Sequence, residues 1–258
     1  MVTATGGSWM GWARVADSEQ DLVGRFDLGI DTASDDASLA LFPFGDDRPL
    51  AVKRFRPEKT MSREFLGVLS AFLAETGVER VAIGRIAVTT GPGQYGPVRA
   101  GIAVAQGLSL ALGVPLAGVG RLEADAALVR PAGNPTGAAV VAVHATRTGP
   151  AWAAYEVVIG DAPRELVVPS VTSWDEAAAQ APRPAVWTGE VGEVDGEPSP
   201  LRAAQDAAGR TGDTIAAEPR TPRAVAIVRI ARVRGTFGDP AGVDAIYLRP
   251  PSITKPRP

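Results

Sequence analysis

The chain has 258 residues, 45% of them apolar and 21% charged, and it contains no cysteine. Disulfide frameworks, thiolate metal sites, iron–sulfur clusters and cysteine nucleophiles are thereby excluded. The 26 basic and 29 acidic side chains nearly cancel, to a net charge of −3, so the molecule lacks the overall positive field of a dedicated nucleic-acid binder and only local basic patches stay open.

No apolar run reaches the roughly 20 residues that span a bilayer; the longest, Ile102 to Val119, is broken by Gln106, Gly107, Ser109, Gly113 and Pro115. Met1 to Gly24 has no basic stretch followed by an apolar core, which argues against a secretory signal. It reads as an extension with Trp9 and Trp12 as its only bulky aromatics. The expectation is a protein without a membrane segment, in the cytoplasm.

From Phe26 the pattern turns to alternation. Phe26, Leu28 and Ile30 share one face, a small polar break follows, and Ser38 to Phe42 is a second apolar run, together a β-hairpin; Ala51 to Phe55 adds a third antiparallel strand. Ser62 can cap a helix carrying Phe65, Leu66, Leu69, Phe72 and Leu73 and ending at Gly77. Arg85 to Thr90 reads as a strand and Gly91-Pro92-Gly93 as a turn. Pro97 suits the first position of a helix over Val98 to Leu112, with a strand from Val114 to Val119 beyond it. Strand, helix, strand, helix, strand after a meander predicts a mixed sheet and an α/β layout. Arg121 to Val129 reads as helix, and Ala138 to Val143 with Ala151 to Val158 opens a second, smaller unit. From Pro182 to Pro222 only short or irregular elements can be placed. Thr221-Pro222 then opens a helix over Arg223 to Arg234, closed by Gly235, before a proline-rich tail from Pro250 to Pro258.

Four features could carry chemistry. Asp31-Thr32 in the first hairpin places a carboxylate, a hydroxyl and backbone N–H groups together, as a phosphate and magnesium site requires, although an Asp–Thr turn bonded to its own backbone has the same sequence. Gly91 to Pro97, with Gly91 and Gly93, leads into a helix whose dipole could hold an anion; no Gly-Lys-Ser/Thr follows, and Pro97 removes a donor. His144 is the single histidine, so histidine metal sites and Ser-His-Asp triads lose most of their support. Arg99, one turn inside the helix behind the glycine loop, could reach an acid, a phosphate or RNA.

The order of these pieces carries a resemblance: Ile30-Asp31-Thr32-Ala33 with Ser38 to Leu41, then Thr90 to Gly101, then Ala105-Gln106-Gly107-Leu108, then Gly118 to Ala124, and Ile246-Tyr247-Leu248-Arg249 near the end. The chain resembles the TsaB (YeaZ) family of bacterial tRNA threonylcarbamoyladenosine proteins. The match is specific over Phe26 to Ala124 and thin through the middle, where Trp152-Ala153 and Tyr155 fit a second-domain strand. The family's Gly-Pro-Gly-Ser-Phe-Thr-Gly loop is here Gly91-Pro92-Gly93-Gln94-Tyr95-Gly96-Pro97, His144 stands where an Asp is usual, and the His before the first long helix is missing near Ser62.

The resemblance implies an actin-like (ASKHA/RNase H-like) α/β fold of two subdomains with mixed sheets: an extension at 1–24, a first subdomain at 25–125 carrying partner-binding helices, and a smaller second subdomain at 126–258 with an extended tail. It implies a non-catalytic scaffold that pairs with TsaD, is joined by TsaE, meets tRNA through the complex and forms a homodimer when alone. No catalytic residue, metal or resident cofactor is expected, with ATP held mainly by the partners. The pairing helices map to Arg63 to Glu75 and Val98 to Leu112, with Phe65, Leu69, Phe72, Val98, Ile102, Ala105 and Leu108 as the expected contact side chains. Two alternatives remain: an actin-like nucleotide-dependent enzyme of the small-molecule kinase type, using Asp31, Thr32, Gly91 and Gly93, and a diverged homodimeric binding protein. A protease is disfavoured by the absence of Cys and the single His.

Overall fold

A computed structural model describes residues 25–57, 61–129, 138–194, 197–198, 200–216 and 221–249. The expected extension at 1–24 and the tail from Pro250 lie outside the described residues. The first sheet contains β1 (Phe26–Asp31), β2 (Ala37–Pro43), β3 (Ala51–Phe55), β4 (Ile83–Thr89) and β5 (Leu116–Val119), with helices α1 (Met61–Thr76) and α2 (Tyr95–Leu112) in the crossovers and α3 (Arg121–Ala127) after the last strand. Its spatial order is β3-β2-β1-β4-β5, with β1 antiparallel to β2 and parallel to β4.

The second half repeats this plan. Strands β6 (Ala139–Thr146), β7 (Gly149–Glu156) and β8 (Arg164–Val171) form a meander, followed by α4 (Trp174–Gln180) and β9 (Ala185–Gly189). A small ladder of β10 (Glu193–Val194) and β11 (Glu197–Pro198) leads to α5 (Leu201–Ala207), β12 (Thr214–Ile215) and α6 (Arg223–Arg234). The sheet order is β12-β9-β6-β7-β8, the same arrangement read from the other edge. Two copies of one βββαβαβα unit, each with a mixed sheet, are the actin-like α/β fold.

The central strands explain the layers. In β1, Leu28 and Ile30 face α1 and α2, joining Leu39, Leu41, Ile86, Val88, Phe65, Leu69, Phe72, Val98 and Ile102 in one core. On the opposite face, Gly29 pairs with Ala40 and Ala87, and Ala87 with Ala117, so four small residues lie in a row across the strands. Helix α6 lies against this smooth floor: a Cβ at Gly29 would stand 2.4 Å from the Ala224 carbonyl oxygen and 2.9 Å from Val228. Helix α3 makes the reciprocal crossing, with Leu122 and Ala126 packed on Val140, Ala142, Ala153, Tyr155 and Val186 of the second sheet. Each unit's last helix therefore covers the other unit's sheet, and the N-termini of both crossing helices meet at the cleft between the lobes.

Several sequence boundaries shift. Helix α1 starts at Met61, so Ser62 lies in its first turn rather than at its cap, and α2 starts at Tyr95, two residues before Pro97. The stop at Gly113 is as expected: the glycine is left-handed (φ +66°) and the Val114 N–H reaches back to the Ser109 carbonyl. The correction in the second lobe is that β8 and α4 were not anticipated. Residues 182–222 hold the short elements expected there: β9, the β10–β11 ladder, α5 and β12. Among the described residues, no helix is long and apolar enough to cross a membrane.

Candidate functional site

The turn after β1 faces the cleft, and its groups are engaged within the chain. Asp31 is fully buried. Its Oδ1 accepts from Thr89 Oγ1 at 2.8 Å and from the Ala33 N–H at 3.1 Å, and its Oδ2 faces Arg223 Nη1 at 3.3 Å. Thr32, also fully buried, donates from Oγ1 to the Pro97 carbonyl at 2.8 Å. Gly101 makes this contact possible, since a Cβ there would lie 2.2 Å from that hydroxyl.

The glycine loop closes over the same turn. Gly91 has φ +97° and its carbonyl accepts from the Arg121 N–H at 2.7 Å. The Ala33 carbonyl sits over the loop: the Gln94 N–H donates to it at 3.4 Å, and a Cβ on Gly93 would stand 2.2 Å from it. The loop thus cups a backbone carbonyl of the chain. The expected phosphate-loop residues Asp31, Thr32, Gly91 and Gly93 do converge, and here they form a packed loop-on-loop contact in which Asp31 bonds Thr89 and Ala33 and faces Arg223.

Beyond this contact lies a charge network that bridges the lobes. Arg223, the first residue of α6, donates from Nε to Asp125 Oδ1 at 2.5 Å and from Nη1 to Ser34 Oγ at 2.7 Å, besides facing Asp31. Burial disfavours its charge, but Asp125 and Asp31 outweigh that and raise its pKa above the ordinary arginine value. Arg121, the first residue of α3, is fully buried. It approaches Asp125 at 3.5 Å, donates from Nη2 to Glu190 Oε1 at 2.5 Å and reaches the Ala33 carbonyl at 3.4 Å.

His144 completes the network. Its Nδ1 lies 2.8 Å from Arg121 Nη1 and 2.9 Å from Glu190 Oε2, and that oxygen also accepts from the Ala145 N–H at 3.0 Å. Burial would raise the Glu190 pKa, yet the bond to His144 and the charge of Arg121 hold it down at about 2. The imidazole Nδ1 thus faces both charged groups near the end of β6, donating to Glu190 when it carries a proton and accepting from Arg121 when it does not. The adjoining cleft, about 250 Å³, is lined by Asp35, Asp36, Asp125 and Glu190 with Arg54 and Arg223 among them.

Sequence reasoning missed the roles of Arg121, Asp125, Glu190 and Arg223. The available signal was an arginine as the first residue of each crossing helix, after Gly120 and after Pro222. Arginine is electrostatically misplaced at a helix N-terminus unless carboxylates meet it.

The expected contact side chains need a correction. Phe65, Leu69, Phe72, Val98, Ile102 and Ala105 are all at most 5% exposed and fill the first-lobe core, with Leu108 partly buried against it. Helical apolar spacing marks the face packed on the sheet. The outward faces of α1 and α2, which pack against each other, instead carry Leu66 (60% exposed) with Gly67, Ser70, Ala71 and Ala74, and Ala103, Gly107 and Leu110 (61% exposed).

Comparison with known proteins places this geometry. The chain covers all of the structure of YeaZ from Pseudomonas aeruginosa with 87% of its own length, at a TM-score of 0.63 and 23% identity. The chain has the YeaZ fold. A second structure, of an uncharacterized protein with similarity to peptidase YEAZ from Pseudomonas aeruginosa, agrees over the same shares at a TM-score of 0.61 and 22% identity. Residues 57–178 match the family model of TsaD, tRNA N6-adenosine threonylcarbamoyltransferase. Among curated proteins, the tRNA N6-adenosine threonylcarbamoyltransferase of Solidesulfovibrio magneticus is 35% identical over 113 residues, 38% of this chain and 30% of that protein. The one from Carboxydothermus hydrogenoformans is 30% identical over 115 residues, 39% of this chain and 34% of that protein. The chain spans about a third of the length of the curated relatives it matches. The resemblance to TsaB (YeaZ) drawn from the sequence is thus met in fold, while the family model that matches part of the chain is that of TsaD.

Proposed function

We propose that this chain is the non-catalytic scaffold subunit of a tRNA N6-threonylcarbamoyladenosine modification complex, pairing with a TsaD protein, joined by TsaE and acting in the cytoplasm. The observation that carries the reading is the YeaZ fold, matched along the whole of the solved YeaZ chain. Two features of the chemistry support it. With one histidine, the sequence cannot build a histidine-rich metal motif of the TsaD kind. At the cleft, the Asp31 carboxylate is neutralised by the chain's own Arg223 rather than presented toward a phosphate-bound cation.

Pairing would use the outward face of α1 and α2. Leu66 and Leu110 expose apolar surface at opposite parts of a face otherwise built of Gly, Ala and Ser, which lets another helix pair approach closely. TsaD is the preferred partner and a second copy of this chain the occupant in its absence.

Size-exclusion chromatography with light scattering of the chain mixed with the TsaD protein of its own organism tests this. Leu66→Asp and Leu110→Asp should leave the fold intact and weaken the one-to-one complex at least tenfold, whereas a complex undiminished in both variants would contradict the assignment. Leu69→Asp, at a side chain 3% exposed, would report only on folding.

A further inference from the structure

The exposed aromatic side chains of the first lobe gather at one place outside the cleft network, at the N-terminal end of the α2 stripe of Arg99, Ala103 and Gly107 that continues into the pairing face. Tyr95 opens α2 and is 50% exposed; Tyr247, on the segment after α6, is 44% exposed. Their ring centroids lie 5.3 Å apart with the planes 31° from parallel. Arg99 donates from Nη1 to the Tyr95 hydroxyl at 2.7 Å, and its guanidinium carbon is 5.3 Å from the centre of that ring. Two residues beyond Tyr247, Arg249 donates to Thr148 Oγ1 in the β6–β7 turn, beside the exposed Arg147.

The platform is held by the fold. The Ile246 N–H donates to the Thr90 carbonyl at 2.8 Å, and Gln106 Nε2 to the Val243 carbonyl at 2.8 Å, so the segment leading into Tyr247 is pinned to the end of β4 and to α2. The nearby acids are engaged: Gln94 Nε2 donates to Asp35 Oδ1 at 2.7 Å, and Asp244 accepts from the Ala245 N–H. Gly96 follows Tyr95, and apart from its chain neighbours and its own helix backbone no atom lies within 4 Å of where its Cβ would stand.

We propose that Tyr95 and Tyr247, flanked by Arg99 and Arg249, form a stacking platform for unpaired bases of an RNA. The rings face each other and Arg99 lies over Tyr95, so the outer surface of this half-exposed stack, chiefly Tyr247, is what a splayed-out base would meet, and bases stack on tyrosine and arginine without sequence preference. Arg99 sits on Tyr95, and Arg249, two residues beyond Tyr247, reaches the turn that carries the exposed Arg147, so positive charge accompanies the rings on a chain of net charge −3, which suits the phosphates of a strand whose bases stack there. The inference rests on the tRNA reading above and narrows it by giving this subunit its own contact with the RNA.

Fluorescence anisotropy of the isolated chain with a labelled anticodon stem–loop RNA, against a fully paired hairpin of equal length, tests the platform. The stem–loop should bind more tightly. Tyr247→Ala should weaken it about tenfold, the effect of one lost base–aromatic stack, while Tyr247→Phe should retain binding. Arg99→Ala should lower the dependence of log affinity on log salt by roughly one. No binding at about 100 μM RNA, the weak end of non-specific affinity, equal binding of the two RNAs, or no effect of Tyr247→Ala would overturn the proposal. Complex formation with the TsaD protein is read separately on the same variants. A Tyr247→Ala chain that still pairs but binds RNA as the parent does refutes the platform alone, and a parent chain that never pairs refutes the functional reading. If Tyr247→Ala loses only the protein complex, the face is a protein contact and the RNA proposal falls.

Discussion

The N-termini of the two crossing helices meet across the cleft, and each begins with an arginine that shares Asp125, yet the two arginines are held differently. Arg223 faces two buried carboxylates, Asp31 and Asp125, and the Ser34 hydroxyl. Arg121 is the more deeply buried of the two, but its closest carboxylate, Glu190, has a side chain 37% exposed and bonded to His144. The contrast teaches that the same pseudo-repeated position serves as a fixed clamp on one side and as a clamp with a solvent-facing, titratable end on the other.

Removing the fixed clamp should cost most. Arg223→Ala strands Asp31 and Asp125 without their strongest partner, and loss of one member of a buried ion network costs about 3–5 kcal/mol. Urea unfolding should show this loss. Arg121→Ala should fall at the lower end of the same range, because Glu190 can turn to water and Asp125 keeps Arg223. Equal losses for the two variants, or a larger one for Arg121→Ala, would break the comparison.

Glu190→Gln sharpens it with a smaller effect. The folded protein holds this carboxyl at about 2, below its ordinary 4.5. Its contribution is therefore fully present above about pH 4.5 and is lost as pH falls toward 2. Melting temperatures of the parent and Glu190→Gln should differ at neutral pH and converge over that window; a difference that persists unchanged to about pH 2 would remove Glu190 from the titratable end.

What was legible in the sequence followed from local pattern. The alternation of Phe26, Leu28 and Ile30 and the spacing of Phe65, Leu69 and Phe72 are dictated by contact with one sheet, so β1, β2, α1 and α2 could be read directly. The same spacing misled the choice of interface residues, because periodicity identifies the buried stripe and the pairing face is its complement. In the second lobe, β8 carries Pro169 on an edge strand and β9 has only five residues, so neither shows a sustained period. Helix α4 did leave a readable mark, the capping box of Ser173 and Glu176. The cleft network was beyond local reading: Arg223 and Asp31 are 192 positions apart and meet only because α6 crosses onto the first sheet.

Reconstitution of tRNA threonylcarbamoylation from the TsaD and TsaE proteins of the same organism, with ATP, the adenylate donor and tRNA, tests the central claim most directly. The account predicts modified tRNA only when this chain is added, and neither ATP turnover nor modification by the chain alone. Modification that proceeds without the chain, or magnesium-dependent ATP hydrolysis by the chain alone that Asp31→Asn abolishes, would contradict it.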